Sequence, residues 1–107
     1  MELTKKLSIK QGVKLAGLRP EMGIALQAAI RSNPIGDTVI TCALDGNHMF
    51  GSKHYSGSAL DFRTRNMSRE QAKAWRDDIA LSLGREFDAI LEEDHLHVEF
   101  DPKGDGA

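Results

Sequence analysis

The chain contains a single cysteine, Cys42, in 107 residues. No internal disulfide can form, so the fold must be held by one modest hydrophobic core or by a bound ion acting as a staple. A chain of this length supports one domain. No internal repeat, linker or composition break divides it, and residues 1–107 read as one unit. The tail Lys103–Ala107 is too polar and glycine-rich to pack. A formal charge of -2 gives no electrostatic reason to expect nucleic acid or an anionic membrane as partner. No stretch approaches the roughly 20 apolar residues of a membrane span. Met1–Lys6 is followed by no apolar region, so no signal peptide is expected.

Local patterns place the elements. Pro20 and Glu21 suit a helix start, and Met22, Leu26, Ala29 and Ile30 recur at helical spacing until Asn33-Pro34-Ile35-Gly36 ends the run. Thr38–Ala43 is short, apolar and β-branched, and reads as a buried strand in which Cys42 behaves as a small hydrophobe. Asp45-Gly46-Asn47 marks a turn, and the polar run to Tyr55, with His48, reads as a loop. In Ser58–Arg63, Ala59, Asp61 and Arg63 take one face of a strand, and Leu60 and Phe62 the other. Ser68-Arg-Glu-Gln71 matches a capping box, Ala72, Trp75, Ile79 and Leu83 follow on one helical stripe, and Gly84 suits the stop. Phe87–Glu92 and His95–Phe100 read as two strands joined tightly. This order predicts an α+β fold: a mainly antiparallel sheet of about four strands with helices packed on it.

The chemistry-bearing side chains fall in two clusters. Ser52-Lys-His54-Tyr-Ser-Gly57-Ser-Ala59-Leu-Asp61 is the first, and Glu92-Glu93-Asp94-His95-Leu96-His97 the second. Two imidazoles and a carboxylate, with one position left open, are the donor set of a catalytic zinc; a structural zinc usually takes four protein ligands. The same set suits iron(II) as well. Along one extended strand, His54 and Asp61 would point to opposite faces. They converge only if His54 lies on a loop that bends into the Asp61 strand, and Gly57 suits that bend. His95, His97 and Glu99 share a strand face, whereas Asp94 reaches the same site only if the chain turns there.

Ser52-x-His54-x-x-Gly57-x-Ala59-x-Asp61, followed by Asp94-x-x-His97, resembles the paired motifs of the zinc D-Ala-D-Ala carboxypeptidase / L-alanyl-D-glutamate endopeptidase group, whose fold is shared by Hedgehog-type domains. The resemblance spans about residues 18 to 100. It implies that His54, Asp61 and His97 bind one Zn2+ per chain, that Asp94 is the general base, and that His95 steadies the oxyanion. It further implies hydrolysis of a peptide bond in the peptidoglycan stem peptide by a monomeric peptidase acting at the bacterial wall or periplasm, in the manner of a phage or prophage lysis enzyme. Ser52 has a supporting place in the motif. The group commonly carries a substrate-binding arginine soon after the first strand; Thr41–His48 has none. Arg63 or Arg65 could replace it, and the departure tilts the reading towards endopeptidase. The reading from another class is a metal-stabilised binding or structural module without turnover.

Overall fold

A computed structural model of the chain describes residues 4–46 and 52–103. Its elements run β1 (Lys6–Ile9), α1 (Glu21–Ser32), β2 (Asp37–Cys42), β3 (Ala59–Arg63), α2 (Arg69–Leu83), β4 (Phe87–Leu91) and β5 (His95–Phe100). The α+β expectation holds. The sheet, however, has five strands in the order β1-β2-β3-β5-β4, and it is mixed. The four expected strands pair antiparallel with one another. β1 is the addition, lying parallel to β2 from Lys6↔Asp37 to Ile9↔Ile40. It is an edge strand whose Leu7 and Ile9 stay 39% and 48% exposed, so its sequence carries no signature of burial.

Helix ends follow the residues that favour them. Ser68 Oγ accepts from the Gln71 N–H, and the Gln71 side chain accepts from the Ser68 N–H, completing the capping box of α2. Gly84 closes that helix at φ +76°, with its N–H donating to Ala80 O. Asn33 ends α1: its Oδ1 accepts from the N–H groups of Ile35 and Gly36, and its Nδ2 donates to Thr38 Oγ1.

Period-two alternation along β3 and β5 separates two environments. Leu60, Phe62, Leu96 and Val98 are fully buried and meet Met22, Ala25 and Ala29 of α1 and Trp75 and Ile79 of α2. Trp75 satisfies its indole N–H on Ala29 O at 3.0 Å, so it is a core residue as its helical stripe suggests. The intervening residues Ala59, Asp61 and Arg63 face across the ladder to Glu99, His97 and His95 on the other side of the sheet. The helices cover one face; the titratable side chains occupy the other.

One tail boundary changes. Lys103 is tied down: its N–H donates to Glu86 Oε2, and its ammonium reaches Asp88 and Asp101 at 3.2 and 3.1 Å. Three hydrogen-bonding groups nearby outweigh the polar, unpackable composition that made it look like part of a tail. Residues 104–107 and His48 lie outside the described residues. Among the described residues, no helix is long and apolar enough to cross a membrane.

Candidate metal centre

Asp61 is the hub. It sits in the middle of β3, 8% exposed, opposite His97 of β5. Its Oδ1 lies 2.9 Å from His97 Nδ1 and 3.2 Å from His54 Nε2, and its Oδ2 lies 3.8 Å from His95 Nε2. Burial alone would push its pKa up. Hydrogen bonds from His54 and His97 outweigh that and hold the carboxyl well below the usual carboxylate range.

His54 reaches this point from a tight turn before β3, as the odd spacing to Asp61 required. Gly57 makes the bend at φ +74°, and a Cβ there would overlap the carbonyl oxygen of Gly17. The Gly57 carbonyl accepts from the Arg19 N–H at 2.9 Å, which seals the turn against the segment before α1. Ser52 acts inside this turn, its Oγ accepting from the His54 N–H at 3.2 Å. The ring of His54 is 3% exposed, and its Nδ1 lies 2.6 Å from Ala43 O. A carbonyl only accepts, so Nδ1 donates there, and Nε2 is the nitrogen presented to Asp61. Asp45 fixes that carbonyl in turn: its Oδ1 accepts from the N–H groups of Ala43 and Lys14.

His97 is held at both ends, with Nδ1 at Asp61 and Nε2 2.8 Å from Glu99 Oε1. Burial disfavours charge on the ring, but the two carboxylates prevail and raise its pKa. His54 and His97 meet edge-on, with ring centroids 4.9 Å apart. A tetrahedral ion with bonds of about 2.0–2.1 Å has edges of about 3.3–3.4 Å between ligand atoms. The separations of 3.2 and 2.9 Å around Asp61 come within a few tenths of an ångström of that. Both separations are measured from Asp61 Oδ1, and the group whose donor atoms all lie within 4.8 Å of one another is Cys42, His54 and Asp61, without His97.

The third member of that group is a thiol, and the three together could hold a metal ion. A β-bulge puts the thiol there. Ile40 pairs with Phe62, but Cys42 pairs with the adjacent Asp61, so two residues of β2 oppose one step of β3. Sγ lies 3.9 Å from His54 Nδ1 and donates to Asp45 O at 3.2 Å. Burial first, then the carboxylates of Asp45 and Asp61, push the thiol up to about 12. Without a metal it is a protonated donor. The sequence holds no sign of this second role, because an alternation argument assumes an unbroken ladder.

A cleft of about 180 Å³ opens next to the hub, lined by Lys10, Thr41, Asp61, Arg63, Arg65, Asp94 and His95. The chain turns between β4 and β5, with Glu92 N–H bonded to His95 O, and this brings Asp94 to the same side as His95. Arg69 braces that turn by donating to the carbonyls of Glu92 and Glu93 at 2.8 and 3.3 Å. Asp94 Oδ1 lies 2.8 Å from His95 Nδ1; this bond is the main reason its carboxyl sits below the ordinary range. Ser52 is not among the cleft-lining residues. Arg63 is, and its Nε is buried with no hydrogen-bond partner among the described residues. An unpaired buried donor costs about 1–3 kcal/mol, which a bound acceptor would recover. No family model, no curated protein and no solved structure matches this chain.

Proposed function

We propose that the chain is a zinc-dependent peptidase that cuts the peptidoglycan stem peptide, as an endopeptidase in preference to a D-Ala-D-Ala carboxypeptidase, in the manner of a phage or prophage lysis enzyme. The observation that supports it best is the convergence of His54 and His97 on Asp61, beside a cleft that also holds Asp94 and His95. A zinc ion held by His54, Asp61 and His97 supplies the Lewis acidity that water activation and carbonyl polarisation require. Asp94 accepts the proton of the attacking water and passes it to the leaving amine. Its hydrogen bond from His95 orients the carboxylate towards the cleft, while lowering its pKa and so its intrinsic basicity. His95, anchored through Nδ1, presents Nε2 to the cleft, where it steadies the negative oxygen of the tetrahedral intermediate. Arg63, joined by Lys10 and Arg65, supplies the cationic wall for an acceptor or carboxylate on the substrate.

Mass spectrometry of muropeptides released from walls of several chemotypes tests activity and bond together. Asp94→Asn is expected to keep stoichiometric zinc and to lose about 10²–10⁴-fold in cleavage rate. If the zinc-loaded wild type releases no new amino or carboxyl termini from any wall, the peptidase reading is lost. One observation favours a second reading. Cys42 joins His54 and Asp61 in a three-residue group that could hold an ion, and a thiolate ligand is more usual in a structural site. In that case cobalt(II) substitution gives a sulfur-to-metal charge-transfer band, and the loaded protein turns over no peptide.

A further inference from the structure

His97 differs from His54 in having a carboxylate hydrogen-bonded at each nitrogen. The contact at Nε2 comes from Glu99, two residues along the same strand and therefore on the same face of β5. Its cross-strand partners are Asp88 on β4 and Ala59 on β3; Ala59 is fully buried and has no group beyond Cβ, which leaves Glu99 room to lean onto the imidazole. Glu99 is itself only 17% exposed at its side chain, so its bond to His97 is partly shielded from water. Around it lie Asp88 and Asp101, and Lys103 neutralises both of those neighbours by ion pairing.

We propose that Glu99 is the positioning residue of the metal centre, accepting a hydrogen bond from His97 Nε2 so that Nδ1 is the nitrogen turned to the ion. This rests on the reading of His97 as a ligand. A ligand histidine that donates its other N–H to a carboxylate is fixed in tautomer and ring orientation and becomes a better base, and loss of such a partner commonly weakens metal binding by about 10–100-fold. Glu99 touches neither water nor substrate in this role; it acts through His97.

Zinc affinity measured by chelator competition separates the claims. His97→Ala should lose zinc binding, and Glu99→Ala should bind about 10–100-fold more weakly than wild type. Glu99→Gln, which keeps an acceptor oxygen in nearly the same place, should fall between Glu99→Ala and wild type. Thermal melts of the metal-free variants guard against misfolding, and the isosteric Glu99→Gln is expected to melt close to wild type. In long-range 1H–15N imidazole spectra of the zinc-loaded wild type, His97 should show a proton on Nε2. If His97→Ala keeps full zinc affinity, the ligand assignment itself fails. If His97→Ala loses zinc while Glu99→Ala stays within about twofold of wild type, or if His97 is metallated through Nε2, the positioning role fails and the ligand assignment stands.

Discussion

Two groups at the hub titrate in opposite directions, and together they set a pH window for the metal-free protein. Asp61 has its pKa lowered from 3.8, so its contribution to stability is present above that value and is lost as pH falls through the folded pKa. His97 has its pKa raised from 6.5, so its contribution is complete below that value and is lost as pH rises through the folded pKa. Metal-free protein should therefore resist urea best between these two ordinary values and weaken on the alkaline side. His97→Gln should flatten the alkaline limb. An unchanged limb in that variant would remove His97 as its source. Metal binding runs the other way, since the ligating nitrogens must shed their protons, and zinc affinity should rise with pH over the same range.

At the scale of elements, the turn that delivers His54 depends on one close approach. Gly57 has a positive φ and no space for a Cβ against the Gly17 backbone. Gly57→Ala should combine left-handed strain with a steric push, costing on the order of 1–3 kcal/mol. The loss should be visible both as a lower melting temperature and as weaker zinc binding, because the displaced turn carries a ligand. A variant that melts early but binds zinc normally would detach the turn from the site. Much of this level was legible in the sequence. The capping box at Ser68, the Asn33-Pro34 stop, the strand pair Phe87–Leu91 and His95–Phe100, and the need for a bend at Gly57 all rest on local residue chemistry. What escaped were features without a local signature. β1 is an exposed edge, the bulge that turns Cys42 towards His54 interrupts the alternation by which faces are assigned, and the tether on Lys103 comes from distant carboxylates. The site followed the same division. His54, Asp61, His97, Asp94 and His95 came from motif and face arguments, whereas the roles of Cys42, Lys10 and Thr41 depend on how strands and loops are laid side by side.

For the whole molecule, the question is what holds a chain of this size without a disulfide. Its radius of gyration, 13.3 Å, is close to the roughly 13 Å expected of a compact chain of this length. Packing on the helical face supplies the core, while the opposite face carries paired and desolvated charges that offset one another less efficiently. A metal ion there should stabilise by mass action. At free zinc about 100-fold above the dissociation constant, the gain is about 2.7 kcal/mol. That corresponds to a rise in melting temperature of roughly 10–20 °C for a domain of this size. Differential scanning calorimetry with and without chelator measures it directly. A melting temperature indifferent to zinc would mean that no ion binds the folded state preferentially.

The alternation along β3 and β5 has one more consequence, for how the protein can change in length. Each of these strands carries oil-facing and ion-facing side chains in strict turn, so a single deletion inside Ala59–Arg63 or His95–Phe100 would drive Asp61 or His97 into the hydrocarbon layer and expel Phe62 or Leu96 from it. Insertions and deletions of single residues are therefore confined to the connections between strands. The two middle strands form a fixed ruler against which the rest of the chain can lengthen or shorten.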